Sequence, residues 1–195
     1  MSLSTERLRN PVLKKYANDH LNRLAKLVAL GTPIVADVDR IVTTVDMKVG
    51  AYTVAAQPDV PRNITVSQTT VATGTDTPGT ITVVGTNYNG EAISEVIIPS
   101  AGNAVAGVKA FKTVVSVTGA GWVIAGGNDT ITIGVGTVLG MPFDLKSTGE
   151  ALLGVLGVAL IDPTVKAEGT IEESTVDISS GTYDGSKKAF VFVVE

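Results

Sequence analysis

The sequence contains no cysteine, one histidine and one tryptophan among 195 residues. Without cysteine there is no disulfide framework, no thiolate nucleophile, no iron–sulfur cluster and no thiolate zinc site. The lone histidine, His20, cannot build a cluster of imidazole ligands within one chain. Aromatic residues are 5% of the total, too few for the stacking platforms of a glycosidase cleft, a carbohydrate groove or a single-stranded nucleic-acid surface. Long apolar runs are missing as well. The longest, Ala151 to Ile161, is too short to cross a bilayer as a helix and reads as a buried strand. Glu6, Arg7, Arg9, Lys14, Lys15, Asp19, Arg23 and Lys26 interrupt the first thirty residues, so no secretory h-region forms there. A soluble protein made in a cytoplasm is expected, with no membrane partner.

What is abundant points to β-structure. Valine, isoleucine and threonine make up roughly a third of the chain, a bias toward residues that fit a pleated surface. Mean hydropathy is +0.32, and apolar residues recur along almost the whole length, which excludes intrinsic disorder. Charge is unevenly placed. Residues 1–31 hold six Lys/Arg and two Asp/Glu, a net of +4, and the remaining nine basic and seventeen acidic residues give −8. A basic arm on an acidic body either docks on an acidic partner surface or nucleic acid, or is a solvated helix face.

The arm reads as an amphipathic helix. Asn10 can cap it, Pro11 suits the first helical position, and Gly31 is a stop. Leu13, Tyr16, Ala17, Leu21, Leu24, Leu27 and Val28 recur at spacings of three and four. Residues 32–47 fit a strand or a short helix, with Val38, Ile41, Val42 and Val45 on the helical face.

Beyond this the pattern is β. Strands are expected over Ala51 to Ala56, Ile64 to Thr73, Gly79 to Thr86, Glu91 to Ile98, Lys109 to Thr118, Gly121 to Ala125 and Asp129 to Val135. Asn89-Gly90 between two of them is a hairpin signal. Ile81 and Val83 should share one face opposite Thr80 and Thr82; Phe111, Val115 and Val117 should share another, opposite Lys112. Further strands are expected near Val155 to Ile161, Ser174 to Ile178 and Ala189 to Val194. The last is apolar on both faces, and so central or subunit-buried. The fold expected is mainly β, an antiparallel β-sandwich or barrel-like domain with an N-terminal amphipathic α-helix. It divides into a helical arm and linker (1–50), a β-domain (51–142) and a C-terminal β extension (143–195).

Candidate chemistry is sparse. Gly134, Gly136 and Gly140 superficially resemble a phosphate loop, but Met141-Pro142 does not open the helix a dinucleotide site needs, so a turn or bulge is expected. His20 has no G-x-S-x-G elbow to serve. Asp37 with Asp39, and Glu172 with Glu173, lack a calcium loop and read as solvated acids. Asn63-Ile64-Thr65 and Asn128-Asp129-Thr130 match a glycosylation acceptor pattern but are most simply strand starts. No enzymatic activity, cofactor, metal or small-molecule substrate is expected, and the acidity of the body disfavours nucleic acid.

Three segments carry a resemblance. Residues 61–66 (PRNITV), residues 79–95 (GTITVVGTNYNGEAISE) and residues 107–117 (GVKAFKTVVSV) together resemble, in this order, a β-domain of tailed-bacteriophage virion proteins. The likeness covers about residues 55–140, somewhat under half of the chain. It implies a virion component made in the host cytoplasm, most simply a capsid decoration or head-stabilising protein. The implied partners are the major capsid protein or other virion proteins, and copies of itself, with a trimer favoured. A tail, neck or baseplate component is the alternative within that class, and a host-surface binding module for glycan or protein lies outside it. The docking residues would be Arg7, Arg9, Leu13, Lys14, Lys15, Tyr16, Leu21, Arg23, Leu24, Lys26 and Leu27, with a salt-dependent contact as their signature.

Overall fold

The computed structural model describes residues 26–70, 76–124 and 128–194. They form antiparallel sheets that curl as a half-barrel, so the mainly β expectation holds. The fourteen strands in chain order are β1 (Lys26–Gly31), β2 (Asp37–Asp46), β3 (Ala51–Tyr52), β4 (Arg62–Thr69), β5 (Thr80–Thr86), β6 (Ala92–Ile97) and β7 (Ala104–Phe111), followed by β8 (Thr113–Ala120), β9 (Thr130–Gly140), β10 (Ala151–Leu156), β11 (Ala159–Ile161), β12 (Thr164–Lys166), β13 (Thr175–Asp177) and β14 (Ala189–Val193). The first sheet runs β12-β13-β9-β4-β7, with β2 also on β9. The second runs β3-β8-β5-β6, and the third β1-β14-β10-β11.

The alternating pattern explains the first core. Ile131, Ile133 and Val135 on β9 meet Ile64 and Val66 on β4, and Ile81 and Val83 on β5 close over them from the second sheet. All seven are essentially inaccessible to solvent. Thr80 and Thr82 stay half-buried on the opposite face, as the alternation requires. The Asn-Gly hairpin is present between β5 and β6. Gly90 takes φ +87, and Asn87 Oδ1 accepts from the N–H groups of Asn89 and Glu91, both at 3.0 Å.

A second core joins distant parts of the chain. Val28 and Leu30 from β1, Leu139 from the end of β9, Val176 and Ile178 from β13 and its flank, and Val191 and Val193 from β14 pack together. Strand β14 lies between β1 and β10, so the closing apolar run is central, as expected.

Several expectations are corrected. Residues 26–31 are a strand, not the last turns of a helix; residues 1–25, including the rest of that expected helix, lie outside the described residues. The reason is tertiary. KLVALG pairs with β14, and strand alternation turns Val28 and Leu30 inward together, with a register shift against β14 between Ala29 and Gly31. Residues 37–46, readable either way, are a strand whose register shifts twice against β9, which lets the adjacent Ile41 and Val42 both be buried. The strand expected over Ala51 to Ala56 pairs only at Ala51 and Tyr52.

Lys109 to Thr118 is not one strand: the chain turns the corner between two sheets at Lys112. A bulge then places Val114 and Val117 inward and leaves Val115 70% exposed. Ala151 to Ile161 is a two-stranded hairpin, β10–β11, with Val158 fully exposed at its tip, rather than one buried strand. The expected strand Gly121 to Ala125 contributes only an isolated bridge between Val123 and Thr77, and residues 125–127 lie outside the described residues.

Candidate functional site

The two acid pairs singled out in the sequence lie apart in the described structure. Among the described residues no group of three or more His, Cys, Asp or Glu side chains gathers to hold a metal. Asp37 and Asp39 sit beside one another, and their shared hydrogen bond raises the Asp39 carboxyl above the usual range. Glu172 pairs with Lys109 at 3.6 Å. Asp184 is held well below the ordinary carboxylate range by the N–H groups of Lys187 and Ser186, as in a tight turn. Each of these acids is engaged in a local contact. Asn63 is 2% exposed within β4, and Asn128 accepts from Lys48 Nζ at 2.9 Å just before β9. Both glycosylation-like triplets are therefore strand starts.

The glycine run 134–140 lies inside β9, not in a phosphate loop. Against β4 the register jumps between Arg62–Leu139 and Ile64–Val135, so β9 bulges at residues 136–138. Asn63 Oδ1 fills the gap, accepting from Val138 N at 3.1 Å. Arg62, fully buried, donates to the carbonyls of Gly136 and of Ile34, and pairs with Asp59 at 3.0 Å. Its guanidinium lies 5.8 Å from the Tyr183 ring centroid, and burial raises the phenol pKa of Tyr183. A buried arginine held at both terminal nitrogens, with only its Nε lacking an acceptor, braces the junction between the two cores and is unavailable to an outside anion.

What the structure offers instead is surface. The outward side of the second sheet carries Thr80, Thr82, Val84 and Thr86 on β5, flanked by Ser94 and Val96 on β6. On its other flank β8 contributes Ser116, Thr118 and Ala120. No charged side chain belongs to this face, although the body around it is acidic. The third sheet has a second charge-free face, more apolar than the first. Its outward positions are the alternates of Val28, Val191 and Gly154, which point inward.

Of the eleven residues expected to dock a partner, Arg7, Arg9, Leu13, Lys14, Lys15, Tyr16, Leu21, Arg23 and Leu24 lie outside the described residues, as does His20. The structure places the other two. Lys26 Nζ sits 4.8 Å from the centroid of the Phe143 ring, a cation–π contact. Leu27 is 52% exposed on the outward side of β1. The exposed sheet faces were missed in the sequence; a strand such as TITVVGT shows alternation but not which side a partner strand will cover.

No family model, curated protein or solved structure matches the chain.

Proposed function

We propose that this protein is a non-enzymatic structural component of a tailed-phage virion, a capsid decoration or head-stabilising protein that binds the major capsid lattice as a homo-oligomer. The sequence resemblance over residues 55–140 motivates the reading. The observation that carries it is the charge-free outward face of the second sheet, where Thr82, Val84 and Val96 lie side by side on an acidic body. An uncharged, β-branched surface suits burial against another protein, because docking there desolvates no ion. Docking would tie neighbouring capsomers together through buried area, and the basic residues 1–31 would add electrostatic steering toward an acidic lattice.

The test is co-sedimentation with heads that lack their decoration. Saturable binding, weakened by salt if the basic segment contributes, is the expected result. Absence of co-sedimentation, or binding to isolated tails alone, overturns the head assignment; the latter would favour a tail, neck or baseplate role. A host-surface binding module would instead give glycan or receptor signal without affinity for heads. Trp122, the single tryptophan, packs partly against the first core rather than standing out as a sugar platform.

A further inference from the structure

The third sheet is apolar on both faces, and only one face is used by the core. On the side turned away from the core, Leu27, Phe192 and Leu153 form one row across three strands. Ala29, Phe190, Val155 and Leu160 form the next row across all four. Two of the protein's four phenylalanines therefore stand outside the core, and Leu27 and Leu160 are 52% and 70% exposed. An antiparallel sheet with one solvated face ordinarily alternates apolar with polar residues. Here the alternation is missing, as it is in sheets covered on both sides.

We propose that this face is covered by the same face of a second copy of the chain, related by a two-fold axis that runs parallel to the strands. Charge favours a like partner at this place. Residues 32–195 carry nine basic and seventeen acidic residues, so two bodies of net −8 approach most easily where the outward strand positions carry no ion and the charged residue lining the end of the face is the cation Lys188. Shape supports the axis. At one end of the face lies a recess of about 290 Å³, lined by Ala29, Gly31, Thr32, Lys188, Ala189 and Phe190. At the same end, across the sheet, the β10–β11 hairpin carries the fully exposed Val158 next to Gly157, whose N–H bonds to Lys188 O at 2.9 Å. A two-fold axis along the strands lays β11 of one copy over β1 of the other without reversing ends. Each Val158 then meets the other copy's recess, and the contact is self-complementary.

Four strands about 4.8 Å apart and about 17 Å long present roughly 320 Å² of flat face. A standard stable interface covers about 800 Å² per partner. The hairpin tip and recess add to the flat face without closing that gap, so pairing is weak and depends on concentration. The arrangement is two-fold, unlike the trimer that the family resemblance favours, and it does not rest on the virion reading.

Sedimentation equilibrium on the full chain, from about 1 µM to about 100 µM, tests it. The expected result is a mass that rises from 20.0 kDa toward twice that value. Leu160→Glu combined with Val158→Asp alters only exposed positions and should keep the mass at one chain throughout, with an unchanged far-ultraviolet spectrum. If that variant misfolds, Leu27→Lys on the opposite edge carries the same expectation. Because the chain has no cysteine, Val158→Cys with Thr32→Cys should oxidise to a cross-linked pair. A single-chain mass at the highest concentration, a three-chain mass, pairing that survives the charged variants, or a pair that does not cross-link overturns the proposal. A single-chain mass together with intact head binding would separate its failure from that of the virion assignment.

Discussion

The carboxylate of Glu95 accepts the Val108 N–H at 2.6 Å, so a side chain joins two strands that do not pair through their backbones. Its other oxygen receives Lys109 N–H at 3.4 Å. Strands β6 and β7 edge the second and first sheets, and this contact stitches one open seam of the half-barrel. At the other seam Ala55 N–H donates to Ile41 O at 2.8 Å. A Cβ on Gly107 would meet the Glu95 carboxylate, so glycine there makes room for the stitch.

Burial raises the pKa of Glu95, outweighing the two backbone hydrogen bonds and the nearby Lys109 charge, while Glu173 adds to the rise. A raised folded-state pKa means that the native protein binds the proton more tightly than the unfolded chain. Stability from this group is full below the unfolded value, about 4.3, and is lost as pH rises through the folded one. Glu95→Gln removes that dependence. Urea denaturation at several pH values between about 4 and 7 should show the variant gaining on the parent as pH rises. Parallel profiles would show that the seam carboxylate does not titrate in this window.

Arg62→Ala should be among the costliest single changes. It strands Asp59 and the carbonyls of Ile34 and Gly136, for a loss of about 3–5 kcal/mol. Arg62→Lys should recover less than half of this, because one ammonium cannot span three acceptors in a planar fork. Thermal unfolding of the two variants measures it, and a lysine variant of parental stability would contradict the bracing role.

Gly134 lies where β9 passes β2, and a methyl there would collide with the Asp37 carbonyl and the Val38 backbone. Gly134→Ala should cost about 1–3 kcal/mol by forcing the strands apart. Gly90→Ala, with open space around its Cβ but φ +87, should lose less, through backbone strain alone. Chemical denaturation of the pair separates crowding from conformation.

Val84→Glu and Val96→Lys introduce charge on the outward face of the second sheet, where both side chains are exposed. Stability should change by no more than about 0.5 kcal/mol. Head association, where it occurs, should fall at least tenfold in affinity, read by co-sedimentation. Unchanged binding would move the docking surface elsewhere.

Much of the β-architecture could be read directly from residue order. The Thr80/Ile81/Thr82/Val83 alternation, the Asn-Gly hairpin and the aligned Ile131, Ile133 and Val135 are local patterns, and each appears as a strand or turn. Bulges were the main obscuring feature. Where the register shifts, as at Ile41 or Val115, apolar spacing changes from two to adjacent positions or to three. Ile41, Val42 and Val45 thus imitate a helical stripe while lying in a strand. The candidate site was less legible, since nine of the eleven named residues fall outside the described structure and the exposed faces are products of sheet assembly.

By itself the sequence determined the β class, the lack of thiol and multi-histidine chemistry, and the separation of positive from negative charge, because these follow from composition and short-range alternation. Only the tertiary structure decided that residues 26–31 join the closing strand, that Arg62 is sealed between two cores, and that two sheet faces stand without charge. Strand pairing joins residues far apart in the chain, and which face a neighbour covers depends on that pairing rather than on any local pattern.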